Sequence, residues 1–232
     1  MKQYDDMKYV TVPIESDRRM GTGFFAAFSI AGQYVPVLVT AAHVVCESPE
    51  VTLILRYQPN ETHIATASIS CTPNWIWHEK DICCCPFADI DARFQQLVGY
   101  PVYRKAIGED KILAPEERAN VGVLSEIVML GYPNGILNCP NMYPLYCKGY
   151  LSSLPSENEG NGNYGYADII AVSGSSGSPM LLMGENSHLM GILTSTVATE
   201  QECGAQLAKY VDACCLLELK REMEESITKR FH

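Results

Sequence analysis

The segment VSGSSGSPML, residues 172–181, contains four serines among glycines and a proline. Ser176 differs from the other three because it alone has glycine two positions before it, glycine directly after it and proline three positions after it. Acyl transfer requires a hydroxyl at a tight bend beside converging backbone N–H groups, and glycine permits such a bend. We therefore predict that Ser176 is a nucleophile and that the N–H groups of Gly174 and Ser176 form an oxyanion hole. The alternative is an ordinary glycine–serine turn.

A serine nucleophile needs a base that accepts its proton, and that base needs a carboxylate that fixes its tautomer. His43 ends the apolar run VLVTAAHVV, where it is either this base or a core histidine that caps a strand. Asp81 opens the apolar run DICCCPF, which places its carboxylate half-buried at the end of a strand. These residue types predict a catalytic triad of His43, Asp81 and Ser176. The remaining histidines stand in polar or terminal surroundings and are expected to be solvated: His63, His78, His188 and His232.

The elements that carry these residues are predicted to be short β-strands. Apolar runs rich in Val, Ile, Leu, Tyr and Thr alternate with glycine and polar turns through most of the chain. This regular spacing is typical of a barrel or a sandwich and differs from the pattern of βαβ units. The predicted strands are KYVTVPI, GTGFFAAFSI, YVPVLVTAA, VTLILRY, ATASISC, DICCCPF, EIVMLGY, YCKGYLSS, ADIIAVS, PMLLM and HLMGILTST.

Three segments depart from this strand pattern. Residues 88–119 are more charged, and we expect a linker with a short helix between two groups of strands. Residues 156–165 (SENEGNGNYG) are rich in Gly and Asn and form either a surface loop or an element that orders when an activating protein partner binds. The tail predicts a strand and then a helix, whose apolar residues are Leu216, Leu217, Leu219 and Met223.

Charge and composition limit the classes of partner. The formal net charge is -10, which disfavours nucleic acid and membrane surfaces as partners. We expect neither a membrane span nor a signal peptide, because no run of about 18 apolar residues is present and the amino terminus MKQYDDMKYV is charged. Most of the ten cysteines stand in apolar runs such as DICCCPF, and neighbours in one strand cannot bridge each other. We therefore expect reduced thiols and a cytoplasmic protein. The cysteines also lack the paired spacing of a zinc site.

The sequence resembles the trypsin-like serine peptidases of the chymotrypsin fold, nearest the bacterial HtrA-type and glutamyl-endopeptidase-like branches. VLVTAAHVV is similar to the block around the family's histidine, DICCCPF to the strand that its aspartate opens, and VSGSSGSPML to its nucleophile block. GTGFF, GYPNGI, CKGYLSSL and MGILTS are weaker matches. The order His43, Asp81, Ser176 is also the family's order. The α/β-hydrolase fold requires G-x-S-x-G and is excluded, because Ser178 stands at the last position.

The resemblance implies an all-β fold of two six-stranded antiparallel β-barrels with a C-terminal α-helix and a site in the cleft between the barrels. The expected boundaries are 1–95 for the first barrel, 96–119 for the linker, 120–210 for the second barrel and 211–232 for the helix. The resemblance makes His43 the general base, Asp81 its orienting carboxylate and Ser176 the nucleophile, with oxyanion donors at Gly174 and Ser176. It implies no metal and no cofactor. No PDZ domain is expected, because the chain ends with its helix.

The expected function is hydrolysis of peptide bonds in a protein or peptide substrate through an acyl-enzyme. A small or medium aliphatic residue is expected before the cleaved bond (P1), and the residues expected to bind substrate are Ile170, Ala171, Ile192, Leu193 and Thr194. Asp168, eight residues before Ser176, is either part of this specificity or a structural hydrogen-bond acceptor. The alternative function is a catalytically inactive trypsin-fold binding module, or a peptidase that a partner activates within a larger complex.

Overall fold

The computed structural model describes residues 6–17, 19–135, 142–155, 163–184, 187–198 and 206–230. Within these ranges the chain forms fourteen β-strands in two sheets and three α-helices, the last of them near the carboxyl terminus. The predicted all-β, chymotrypsin-like class with a C-terminal helix is confirmed. No helix in the described ranges is both long enough and apolar enough to cross a bilayer.

The first sheet is formed by the amino-terminal half of the chain. Its main ladder is antiparallel in the order β5-β4-β1-β2-β3-β7-β6, and β8 pairs in parallel with β2. It contains eight strands where the sequence implied six, because β6 and β8 have only three and two residues. Runs that short show too little alternation to be predicted. The strands are β1 Thr11–Ser16, β2 Arg19–Ile30, β3 Gln33–Ala41, β4 Val51–Asn60, β5 His63–Cys71, β6 Ile76–His78, β7 Ile82–Pro86 and β8 Ile107–Gly108.

The second sheet closes into a six-stranded barrel in the order β10-β11-β14-β13-β12-β9. The predicted strand ADIIAVS overlaps β11 only at Ala167 and Asp168, because the chain then leaves the barrel and forms the turns around Ser176. The strands are β9 Glu126–Gly131, β10 Leu145–Ser153, β11 Tyr164–Asp168, β12 Pro179–Leu182, β13 Leu189–Ala198 and β14 Gln206–Asp212.

The three helices are α1 Ala42–Val45, α2 Ala88–Val98 and α3 Cys215–Arg230. The short helix expected in the linker is α2, which ends at Gly99, where a left-handed φ of 83° suits glycine. The expected boundary at residue 95 falls inside α2, and the boundary at residue 210 falls inside β14. The apolar side of α3 is buried at Leu216, Leu219 and Met223, and Leu217 is half-buried.

Three apolar clusters hold these elements together. One, here called the first interior, is enclosed by the first sheet, and another fills the second barrel. The third, here called the inter-sheet cluster, joins the two sheets and α3. Successive side chains of the DICCCPF run alternate between two of these clusters. Cys83 and Cys85 face the first interior, and Cys84 faces the inter-sheet cluster. Representative residues of the inter-sheet cluster are Phe24, Phe28, Val39, Leu130, Leu181, Ile192, Leu216 and Leu219.

The cysteines in the described ranges are all free. Burial raises the pKa of Cys71 to about 11 and that of Cys84 to about 12. Desolvation by burial also raises the pKa of Cys83 and of Cys85 well above the ordinary thiol value. These side chains are therefore protonated thiols that pack as small apolar groups.

Candidate active site

His43 lies in α1, the four-residue helix that follows β3. Ala41 is extended (φ -72°, ψ 136°), so the chain turns from strand to helix within one peptide unit. Val44 and Val45 are buried in the first interior and anchor the helix there. The imidazole of His43 is left at the surface of the sheet, with one third of its side chain exposed.

Asp81 occupies the turn between β6 and β7 and has a left-handed φ of 65°, a region in which Asp and Asn are enriched. It makes three hydrogen bonds with the segment that carries His43. Its carbonyl accepts from Ala42 N (2.9 Å), its Oδ1 accepts from His43 N (2.9 Å), and its Oδ2 lies 2.8 Å from His43 Nδ1. A carboxylate only accepts, so Nδ1 carries the proton and Nε2 of the neutral ring is left as the basic nitrogen.

Ser176 lies in the loop between β11 and β12. Its flanking residues Gly174 and Gly177 both have a φ of 88°, a conformation that side chains rarely adopt. A Cβ at Gly174 would lie 2.4 Å from Tyr132 O, and one at Gly177 would lie 2.0 Å from Thr22 O. Both positions therefore require glycine. The Oγ of Ser176 donates to the carbonyl of Thr194 (3.2 Å), and across the described residues it makes no hydrogen bond with His43.

The nucleophile loop packs directly against the strand end that leads to His43. The Cβ position of Gly177 lies 3.0 Å from Ala41 N, and Thr22 N donates to Ser176 O (2.8 Å). The Cβ position of Gly21 lies 2.5 Å from a methyl carbon of Val44 and 3.2 Å from Ser176 O. β2 and the end of β3 thus bring the Ser176 loop beside α1.

The backbone around Ser176 leaves two donors uncommitted. Ser175 N, Gly177 N and Ser178 N donate to Val172 O, Leu193 O and Ser175 O, at 3.0, 2.7 and 3.0 Å. Gly174 N and Ser176 N have no acceptor in the described part of the chain. The Ser173 carbonyl accepts from Asn134 N (2.5 Å). Gly174 is buried and Ser176 is half-buried. Buried N–H groups are almost always paired in proteins, so two unpaired donors on one loop are available to an incoming oxyanion.

Thr22 is a buried site residue that we did not predict. Its Oγ1 donates to Gly174 O (2.9 Å) and accepts from Tyr132 N (3.1 Å), and its carbonyl accepts from Thr40 Oγ1 (2.8 Å). It therefore fixes the nucleophile loop to both sheets. The GTGFF run contains it, but no local pattern shows that a strand threonine will contact a loop 152 residues away.

The predicted substrate-binding residues do not share one surface. Ile192 is buried in the inter-sheet cluster and Leu193 in the interior of the second barrel, because neighbours along β13 point to opposite faces. Ala171 lies in the same cluster as Leu193, so Ile192 is removed from the predicted pocket wall. Ile170 is 73% exposed, whereas Ala171 and Thr194 are 4% and 2% exposed. A side chain does not line a pocket together with a neighbour that faces the opposite side of the same strand.

Two further features singled out in the sequence are Asp168 and the Gly/Asn-rich loop. The side chain of Asp168 is exposed at the end of β11. The Gly/Asn-rich loop at 156–165 lies mostly outside the described residues, which resume at residue 163.

The expectation that His78 is solvated is wrong. Only 4% of its side chain is exposed, and its Nε2 lies 3.0 Å from Glu218 Oε2 on α3. The polar residues after it in the sequence form a tight turn, and the packing of β6 against α3 covers the ring.

No protein-family model matches the chain, and no curated protein matches its sequence. Solved structures do match its fold. The chain is similar to the inactive form of a serine-to-alanine mutant of Rv3671c from M. tuberculosis H37Rv, with 16% identity, a TM-score of 0.57 and coverage of 94% of this chain and 88% of that one.

Two further protease structures share this likeness. For the apo protease domain of MamO from Magnetospirillum magneticum the identity is 12%, the TM-score 0.55 and the coverage 93% of this chain and 97% of that one. For a variant of the HtrA-type protease AlgW with a tripeptide, the identity is 11%, the TM-score 0.60 and the coverage 96% of this chain and 62% of that one. The resemblance to trypsin-like and HtrA-type domains is thereby confirmed at the level of the fold.

Proposed function

We propose that the chain is a serine endopeptidase that hydrolyses peptide bonds through an acyl-enzyme. The observation that carries this proposal is the double attachment of His43 to Asp81. One carboxylate binds both the backbone N–H and Nδ1 of the same histidine, at 2.9 and 2.8 Å. This arrangement fixes the tautomer in which Nε2 is basic, which is the form a general base requires.

The chemistry follows from these positions. His43 Nε2 accepts the hydroxyl proton as Ser176 Oγ attacks the peptide carbonyl, and the N–H groups of Gly174 and Ser176 bind the resulting oxyanion. The imidazolium then delivers its proton to the leaving amine, which leaves an ester on Ser176 that water hydrolyses by the same steps. Each oxyanion donor is worth about 3–4 kcal/mol in a comparable enzyme. No metal or cofactor takes part in these steps.

The hydrogen bond from Ser176 to Thr194 describes a resting orientation of the hydroxyl. The three staggered rotamers of a serine are separated by rotation about one bond, so Oγ leaves the Thr194 carbonyl without any backbone movement. Catalytic hydrogen bonds are often incomplete before substrate binds. We therefore place the Ser176–His43 contact in the substrate-bound state.

The same hydrogen bond favours a second candidate function. A protein in which Ser176 stays bound to Thr194 is a catalytically inactive binding module, or a peptidase that a partner activates within a larger complex. The two functions differ in one property, because only the peptidase turns its hydroxyl toward His43 when a peptide alone occupies the cleft.

We further propose an apolar preference for a small or medium aliphatic residue before the cleaved bond. Ala171 and Leu193 are both buried in the apolar cluster inside the second barrel, so a pocket that opens beside them has apolar walls. A methylene more or less in such a pocket changes the free energy of the transition state by about 1–3 kcal/mol, so discrimination is expected to be soft.

Cleavage of a peptide library tests the proposal and the preference together. We expect cleavage after small or medium aliphatic residues by the wild-type protein and by Ser173→Ala, and none by Ser176→Ala. Ser173 is the matched control because it is an exposed serine of the same loop. Equal cleavage by Ser176→Ala and the wild type would overturn the proposal, and cleavage that appears only when another protein is added would favour the partner-activated peptidase.

A further inference from the structure

Three groups able to bind a metal ion meet behind the turn that carries Asp81. His78 comes from β6, and Cys215 and Glu218 come from the first turn of α3. Their ligand atoms all lie within 4.8 Å of one another, and His78 Nε2 and Glu218 Oε2 are 3.0 Å apart. Ligand atoms around a tetrahedral zinc ion lie roughly 3.3–3.6 Å apart, as follows from Zn–N and Zn–S bonds of about 2.0 and 2.3 Å. Small side-chain shifts are therefore enough to admit an ion.

We propose that His78, Cys215 and Glu218 form a binding site for Zn²⁺. Imidazole nitrogen, thiolate sulfur and carboxylate oxygen are the ligands that zinc uses in proteins, whereas Mg²⁺ and Ca²⁺ prefer oxygen alone. On binding, Cys215 releases its proton, so a thiolate and a carboxylate supply two negative charges that match the charge of the ion. Three protein ligands leave the fourth position to water.

The burial of the three residues suits a site that exchanges metal with solvent. Cys215 is fully buried, and the side chain of His78 is 4% exposed, so the ion would lose most of its water on that side. The side chain of Glu218 is 42% exposed and leaves a path from solvent. On the β6–β7 turn, Lys80 Nζ pairs with Glu79 Oε1 (3.1 Å).

Cysteine spacing does not reveal this site. His78 and Glu218 are 140 residues apart in sequence and come together only through the packing of β6 against α3. The absence of paired cysteine spacings excludes a zinc-finger arrangement, but it carries no information about ligands from two distant elements. The proposed ion would bind to residues outside the candidate triad and would take no direct part in the steps derived for Ser176.

Occupation of the site would alter the turn that presents Asp81. His78 Nδ1 accepts a hydrogen bond from Lys80 N (3.1 Å), so Nε2 carries the ring proton. A metal at Nε2 requires that proton to move to Nδ1, which then no longer accepts from Lys80. Lys80 precedes Asp81, whose left-handed conformation places its carboxylate on His43. This consequence rests on the proposed function, and it means that zinc slows peptide cleavage.

Cobalt binding tests the site without reference to activity. Titration of the reduced, metal-free protein with Co²⁺ is expected to produce a thiolate-to-cobalt charge-transfer band that saturates at one equivalent and that Zn²⁺ abolishes. Cys215→Ser should remove the band, and Glu218→Gln should weaken Co²⁺ binding more than about tenfold, since loss of even an outer partner of a metal site costs that much. Glu218 is partly exposed, so this variant is expected to fold. The matched control is Cys46→Ser, which removes an exposed thiol elsewhere.

No band in the wild-type protein, or a band that Cys46→Ser removes and Cys215→Ser does not, would overturn the proposed site. Cleavage is then measured with and without saturating zinc for each variant. The ratio of the two rates should fall in the wild type and in Cys46→Ser, and stay near one in Cys215→Ser. An unchanged ratio in the wild type beside a normal cobalt band overturns the link to Asp81. If no condition yields cleavage, the proposed function fails, while the cobalt band still decides the site.

Discussion

At the scale of single residues, Asp81 holds the candidate base through both its backbone and its side chain. Asp81→Asn should fold normally, because Asn also tolerates the left-handed φ of 65°. The amide would donate to Nδ1 and place the ring proton on Nε2, where it blocks general-base catalysis. We expect kcat for peptide cleavage to fall by about 10³–10⁴-fold, as the equivalent change does in a comparable enzyme.

The control for this variant is Asp89→Asn, which makes the same change at an exposed position of α2. Circular dichroism would establish that both variants are folded. A folded Asp81→Asn protein with kcat within about tenfold of the wild type would remove Asp81 from the mechanism, since about 1.4 kcal/mol is too little for the loss of a base.

Thr22 is predicted to be a positioning residue for the oxyanion loop. Thr22→Val keeps the shape of the side chain but leaves Gly174 O and Tyr132 N without their partner, at a cost of about 1–3 kcal/mol for each buried group. We expect a lower free energy of unfolding and a kcat at least about tenfold lower, corresponding to about 1.4 kcal/mol.

Thr22→Ser separates the hydroxyl from the rest of the side chain. It keeps both hydrogen bonds and loses one methyl group, so its kcat should stay near that of the wild type while its stability falls slightly. Denaturant unfolding and steady-state kinetics on both variants make the comparison. Equal losses of kcat in the valine and serine variants would show that the hydroxyl does not align the loop.

The residues of the candidate triad were singled out by local composition. His43, Asp81 and Ser176 stand at the ends of apolar runs or between glycines, and the structure places His43 against Asp81 and the Ser176 loop beside α1. The hydrogen bonds of Thr22 and the burial of His78 were not predicted, because they depend on partners 152 and 140 residues away. Local sequence carries no signal for such contacts.

At the scale of elements, Arg118 joins the segment before the second barrel to the end of β14. Its Nη1 lies 2.6 Å from Asp212 Oδ2, and its Nη2 donates to Asp212 Oδ1 at 2.7 Å. The side chain of Asp212 is 1% exposed. Desolvation by burial raises the pKa of this carboxyl above its ordinary value, and the hydrogen bond from Cys214 N and the charge of Arg118 oppose that rise.

Arg118→Met should destabilise the protein in a pH-dependent way. Removal of the cation raises the folded-state pKa of Asp212 further above its unfolded value, so the folded form retains a proton that the unfolded form releases. The penalty is therefore small at low pH, where both folded proteins keep the proton. It grows as the pH rises from the folded pKa of the wild type to the higher folded pKa of the variant, toward about 3–5 kcal/mol. Urea unfolding at several pH values measures it.

Lys148→Met is the control for the loss of an ion pair. Lys148 and Glu126 are 51% and 45% exposed, and solvent screens such a pair so strongly that its loss should leave the free energy of unfolding nearly unchanged. A penalty for Arg118→Met that does not change with pH would show that the variant acts through packing and leaves the ionisation of Asp212 unaltered.

Element prediction succeeded for long alternating runs and failed for short ones. β2, β3 and β7 match runs in which apolar residues recur over five or more positions. β6 and β8 have three and two residues and exist because neighbouring strands supply hydrogen bonds. The end of ADIIAVS is apolar but leaves the barrel, since the nucleophile loop begins there. Apolar composition alone does not separate a strand from a buried loop.

At the scale of the whole molecule, the inter-sheet cluster sets the relation between the two halves of the candidate site. Leu219 of α3 is fully buried in it, together with residues of both sheets. Leu219→Ala should lower the free energy of unfolding by about 2–5 kcal/mol. Leu217→Ala removes the same atoms at a half-buried position and should cost less. Equal losses in urea unfolding would contradict the assigned packing of α3.

The two-sheet architecture and the C-terminal helix followed from the resemblance in sequence. The number of strands in the first sheet and the packing of α3 against both sheets did not. His43 follows a strand of the first sheet and Ser176 precedes a strand of the second, so their relative position depends on how β2 contacts the nucleophile loop and on the inter-sheet cluster. Those contacts join residues far apart in sequence. Physical reasoning from local patterns named the residues of the candidate site but did not predict the contacts that hold their segments together.

Covalent labelling of Ser176 is the sharpest test of whether its hydroxyl is an activated nucleophile. A fluorophosphonate is expected to add one adduct to the wild-type protein, and peptide mapping should locate that adduct on Ser176. Ser176→Ala and His43→Ala should acquire no adduct, while Ser173→Ala should be labelled normally. A folded wild-type protein that acquires no adduct, or an adduct on another residue, would show that Ser176 is not activated by His43.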